Sequence, residues 1–416
     1  MIFEPAPRND FAEFITLYYE RCRSVAPEVE GIAGKWAFED LIPGMSDFDY
    51  RLICADGMTA DDWCRVSAAV GEMHLELCRA HPEWTRRLEH LPGVSLTWSE
   101  LTLPQLYHPE YKQWTFYDTA QPERLARVTQ ALASRPWDAK DERYNLSKFL
   151  AYYGPYNRAI DPAINLGAYE NKYPLHSRLM HYFPPPVQSA LAILGHQTLV
   201  GKIDALRRAA VMFPNVSVFA EALDIVERHY EIPELYSDPA LSDFEERLFD
   251  AVRTVGLRLA DAITIIPGAA CTSPAQWQQA LSRQPVDLAM TVFDGAKYAR
   301  LTKGRIYFLA NAPSYFDTSI LIPWELNRVR NTFFRQPLAA FWELLQHEKI
   351  EDPLDIVPRL APDILTTEEV EATLAAGQLS GTWRKGQEVA TARRVVEVFD
   401  GFYRALHKIS AVAIGL

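Results

Sequence analysis

Apolar residues recur at helical steps near the start of the chain, at Phe11, Phe14, Ile15, Tyr18 and Tyr19. That spacing predicts a helix over 10–24 with Asn9 or Asp10 as its N-cap. The pattern then changes period. A short strand is expected around Ile32–Gly34. In a second strand Phe48, Tyr50, Leu52 and Cys54 alternate with Asp49, Arg51 and Ile53 until Gly57 closes the run. Thr59 with Asp61 and Asp62 opens a long helix whose apolar face is Trp63, Val66, Val70, Met73 and Leu77, and Pro82 ends it. Val94, Leu96 and Trp98 share one face of a third strand drawn through Glu100 to Leu101, and Gln113–Asp118 forms a further aromatic strand.

Beyond a polar, aperiodic stretch at 135–142 the pattern is mostly helical. Helices are expected over 187–207, 242–265, 337–347, 368–375 (capped by Thr366 or Thr367) and 388–416, with Ile306–Leu309 as a short strand. Ser242 and Glu245 have the spacing of a capping box, so the 242–265 helix is expected to begin at Ser242. The fold class predicted is α+β: an N-terminal mixed sheet with helices over 1–135, then a helical region over 136–416 of one or two subdomains.

The candidate chemistry lies at Gly44-Met45-Ser46-Asp47-Phe48-Asp49. On a strand, residues i and i+2 project to one face, so Asp47 and Asp49 are expected to lie a few Å apart. Two carboxylates that close need a proton or a cation between them. Paired hard oxygens suit Mg²⁺, which keeps most of its waters and accepts one or two carboxylates plus substrate phosphates. The plainer reading is a solvated turn. Ser242-Asp243-Phe244-Glu245 nearly repeats the motif, but helix spacing follows it.

With helix, glycine strand, loop and D-x-D strand in that order, the N-terminal region resembles the nucleotidyltransferase superfamily of DNA polymerase β and the aminoglycoside nucleotidyltransferases. Gly34 matches that family's glycine, and Ser46, Asp47 and Asp49 match its second block. The resemblance implies Mg²⁺-dependent transfer of a nucleoside monophosphate from an NTP, ATP among them, to a small-molecule hydroxyl. Asp47 and Asp49 would be the catalytic metal ligands, with Gly34, Lys35 and Ser46 at the nucleotide phosphates. Lys35 departs from the family, which has Ser or Gly there. It either supplies phosphate charge or marks a site that no longer binds nucleotide. The family also has a third acid on a neighbouring strand: Glu100 shares parity with Val94, Leu96 and Trp98, and Asp118 is the competing candidate. A non-catalytic binding module on the same scaffold is the main alternative. A D-x-D glycosyltransferase is a lesser one, because only 46 residues precede Asp47.

Composition narrows the partners. The 416 residues carry 42 Lys and Arg against 54 Asp and Glu, a net charge of −12. A binder of phosphate backbones usually carries a basic face, and no basic cluster here exceeds a pair, so nucleic acid is not expected as acceptor. The five cysteines include no C-x-x-C pair, which suits a reducing compartment. Without an apolar leader or a span of membrane length, a cytoplasmic protein with no membrane partner is expected. Two further features of the sequence bear on function. The aromatic run Tyr152–Tyr156 is either a packed linker or a ligand cleft at the domain junction, and His176 and His181 are read as structural or surface residues.

Overall fold

A computed structural model describes residues 9–35, 37, 40–41, 48–81, 84, 94–103, 107–152, 184–229, 238–266, 273–311, 318–330 and 335–415. The chain is mixed α/β, with a small four-stranded sheet followed by a helical C-terminal region. Helix α1 (Asn9–Val25) leads into β1 (Val29–Gly34) and β2 (Tyr50–Cys54). Helix α2 (Ala60–Ala80) precedes β3 (Val94–Thr97) and the short α3 (Trp98–Thr102). A 3-10 turn (Pro109–Gln113), β4 (Thr115–Thr119) and α4 (Pro122–Ala133) follow. The strand order is β3-β2-β1-β4, with β1 antiparallel to both β2 and β4, and β2 parallel to β3.

One face of the sheet is closed by α1 and α2. There Phe11, Phe14 and Tyr18 meet Ile32, Leu52, Val66 and Met73 in a single apolar cluster. The other face packs Ala33, Ile53 and Leu96 against Trp98, Tyr107, Trp114 and Leu132. Alternation along β1 and β2 therefore feeds two cores, so the strands read as apolar on both faces.

The remaining helices form two further clusters. The first joins α5 (Ala139–Tyr152), α6 (Pro184–Gly195), α7 (Lys202–Met212), α8 (Val218–His229), α9 (Asp238–Leu259) and α10 (Pro274–Leu281). The second gathers α12 (Thr318–Arg328), α13 (Gln336–Gln346), α14 (Ile356–Arg359), α15 (Thr367–Gln378) and α16 (Glu388–Gly415) around the 27-residue α11 (Pro285–Asn311). Among the described residues no helix is long and apolar enough to cross a membrane.

Several sequence expectations change. The third strand ends at Thr97, and Thr97 caps α3 with Glu100 at its N3 position. Ile306–Leu309 lies inside α11, where apolar neighbours on all sides suit a buried helix as well as a strand. Ser242 is not an N-cap: α9 begins at Asp238, a turn earlier. The helix expected over 187–207 is two helices, separated by a turn in which His196 (φ 47°) and Gly201 (φ 98°) are left-handed. Thr59 and Thr366 do form reciprocal capping boxes, with Asp62 and Glu369.

Candidate functional site

The β1–β2 register sets the geometry of the candidate site. Gly34 pairs with Tyr50, so the glycine end of β1 lies beside the residue that precedes β2, Asp49. Phe48 and Tyr50 point toward α1: Phe48 meets the Phe14 ring edge-on at 5.0 Å, and Tyr50 lies 4.8 Å from Tyr18. Arg51 and Ile53 occupy the opposite face. Asp49 is half-buried and sits in a tight turn, closed by the Tyr50 amide donating to the Phe48 carbonyl at 3.0 Å. β2 starts at Tyr50, one residue after Asp49. Asp47 and Ser46 lie outside the described residues, as do Gly44 and Met45.

Arg51 is the charged group that sequence reasoning passed over. It is buried, and its Nη2 donates to Glu110 Oε1 at 3.1 Å. Trp114 Nε1 donates to the same oxygen at 3.3 Å, and the guanidinium lies 5.7 Å from the Trp114 ring centre. Burial opposes the Arg51 charge, but Glu110 and Asp49 outweigh it and hold its pKa above the ordinary arginine value. A second polar group continues from the 3-10 turn into the helices. His108 Nδ1 accepts from the Glu110 amide at 3.1 Å, and its Nε2 lies 2.9 Å from Asp294 Oδ1. Arg143 bridges Asp294 at 3.0 Å and Asp287 at 2.7 Å. The clue to this face was an arginine within an otherwise apolar strand; its partners in the 3-10 turn, α5 and α11 carry no periodic signal.

Neither candidate third acid joins Asp49. In the parallel register Thr97 pairs with Cys54, so Glu100 lies beyond the far end of β2. At about 3.3 Å per residue, five strand residues separate that end from Asp49 by roughly 16 Å. The Glu100 carboxylate is occupied there: Oε2 accepts from the Thr97 amide at 2.7 Å, and Oε1 accepts from Tyr403 Oη at 2.6 Å. Asp118 is exposed, pairs across β1 with Ile32, and accepts from the Thr119 amide at 2.7 Å. A metal shared by Asp49 with either acid is corrected on this geometry. Among the described residues no group of three or more His, Cys, Asp or Glu is arranged to hold a metal ion.

The glycine has a local reason of its own. A Cβ built on Gly34 falls 2.5 Å from Tyr117 Cε2 and 2.8 Å from its Cζ. The space left by the missing side chain is therefore filled by an aromatic ring of β4. Lys35 follows Gly34 in a bend just past the end of β1 and is half-buried. His176, His181 and most of the aromatic run after Tyr152 lie outside the described residues. No protein-family model, curated protein or solved structure matches the chain.

Proposed function

We propose that this chain is a Mg²⁺-dependent nucleotidyltransferase, moving a nucleoside monophosphate from an NTP to a small-molecule hydroxyl. The observation that supports the reading is the β1–β2 register, which pairs Gly34 with Tyr50, the residue after Asp49, in a helix–strand–strand–helix–strand order. Asp47 and Asp49 are the proposed metal ligands, and Gly34, Lys35 and Ser46 the phosphate contacts. Bound Mg²⁺ would neutralise triphosphate charge and favour departure of pyrophosphate. The acceptor hydroxyl oxygen attacks the α-phosphorus, its proton passes to water, and the bond from that phosphorus to the bridging oxygen breaks to release pyrophosphate. The buried Arg51–Glu110 pair beneath Asp49 fixes the start of β2 without adding net charge.

A non-catalytic module on the same scaffold is the second reading. The Tyr117 ring over Gly34 favours it, because that ring occupies space which the family leaves for phosphate. Calorimetry of ATP with and without Mg²⁺ tests both. Wild type is expected to bind only with Mg²⁺, and Asp49→Asn to bind at least ~10-fold more weakly, about 1.4 kcal/mol, with a melting curve that establishes that the variant folds. Equal binding by Asp49→Asn places the nucleotide elsewhere. Tighter binding by Lys35→Ala, with no pyrophosphate released from any NTP, selects the non-catalytic reading.

A further inference from the structure

A cleft of about 450 Å³ opens where the 3-10 turn, β4 and α4 face the turn between α6 and α7. That volume lies within the range of small-molecule sites. Its walls are aromatic, with Trp114, Phe116 and Trp137, and Trp137 stands parallel to the His196 ring (11°, centroids 6.1 Å apart). Lys112 and Arg135 also line the cleft, and among the described residues no Asp or Glu does, although the chain as a whole carries −12.

The two cations differ. Lys112 is neutralised by Asp141, whose carboxylate oxygens lie 2.9 and 3.1 Å from Nζ. Arg135 has no carboxylate partner among the described residues. Its guanidinium is held 4.1 Å from the Tyr107 ring centre, and Nη2 donates to the Thr102 carbonyl at 2.9 Å. A guanidinium carries five N–H donors in a rigid fork that matches carboxylate and phosphate oxygens. Here it is fixed in place by a ring and a carbonyl, with donors to spare.

We propose that this cleft binds a planar aromatic ligand carrying one carboxylate or phosphate: the ring lies against the Trp137 wall and the anion meets Arg135. Asp49 is not among the described residues that line the cleft, and the fixed Arg135 charge disfavours a cationic ligand.

Calorimetry with 2-naphthoate, 2-naphthyl phosphate, neutral 2-naphthamide and cationic 2-naphthylmethylamine tests the proposal. Wild type is expected to bind an anionic probe at least ~10-fold more tightly than the amide, and the amine not at all. Whichever anion binds more tightly identifies the headgroup. Arg135→Gln should collapse the preference to less than about twofold, Arg135→Lys should keep part of it, and Trp137→Ala should weaken every probe. Asp49→Asn should leave all four unchanged, so failure of the catalytic reading does not carry over to this one. Melting curves of the Arg135 variants establish that they fold. The proposal is overturned if wild type binds none of the probes, if amine and anion bind equally, or if folded Arg135→Gln keeps the full preference.

Discussion

Gly34 illustrates how far one residue can be read. A glycine closing a short strand marks a place where something comes close, and that much is visible in the chain. What comes close is Tyr117, which no local pattern relates to it. The β1–β4 register shifts between Ile32 and Ala33, and Tyr117 falls between the residues paired there, Phe116 and Asp118. A register shift depends on backbone geometry, which residue type does not encode. Gly34→Ala should therefore lose about 1–3 kcal/mol of stability through overpacking. Adding Tyr117→Leu should restore much of it, giving a favourable interaction energy in a double-mutant cycle of denaturant melts. Strictly additive losses would show that the two positions do not share the space. Asp49 was legible as a candidate for the opposite reason: an acid at a strand start is conspicuous. Arg51 was not, because its neutralising partner Glu110 sits in a 3-10 turn with no repeating pattern.

At the scale of elements, local chemistry was legible at Thr59 and Thr366 but not at Ser242, whose capping-box spacing falls inside a helix that begins at Asp238. Thr59 and Thr366 start helices as their spacing requires. Two signals competed over Thr97-Trp98-Ser99-Glu100: strand alternation continuing to Glu100, and the T-x-x-E spacing of a capping box. The box prevails, because burial of Trp98 is satisfied in either conformation and only the helix gives the Thr97 amide its acceptor. Glu100 then ties α3 to the distant α16. Tyr403 donates to it at 2.6 Å, and His407 Nε2 lies 3.4 Å away. Glu100→Gln replaces a charged acceptor by a neutral one, at a cost of about 1–2 kcal/mol, the difference between charged and neutral hydrogen bonds. The loss should appear as reduced amide-exchange protection around 403–407, while protection of α2 is unchanged. Tyr403→Phe should reproduce the same local loss. Unaltered protection in both variants would mean that α16 is held by its apolar face alone.

For the whole molecule, the sequence displays apolar faces but not their pairings. Helix α2 shows this. Its pattern identifies Val66, Val70 and Met73 as one face, and they do pack over the sheet. Leu75 belongs instead to the C-terminal cluster built around α11. Between the two cores, the Tyr18 hydroxyl lies 2.9 Å from His74 Nδ1, and the Phe308 ring meets His74 edge-on at 5.2 Å. Gly71 brings α11 in: a Cβ built on it would lie 3.6 Å from both Cα and Cβ of Phe308, an ordinary contact with no room to spare. Phe308 is 1% exposed, and the segment around it was expected to be a strand because a buried helix and a buried strand present the same apolar run. Phe308→Ala removes the ring at this junction. About 3–5 kcal/mol should be lost if the cavity stays open, and less if α2 and α11 close over it. The location of the loss matters more than its size. In wild type the sheet and the C-terminal helices share this contact, so spectroscopic probes placed in each should melt at one denaturant concentration. In Phe308→Ala the two midpoints should fall and separate, the C-terminal helices following the lower one. If both probes shift together by the full amount, the junction is reinforced elsewhere, and the Tyr18–His74–Phe308 contact is one of several that make the sheet and the helices a single cooperative unit.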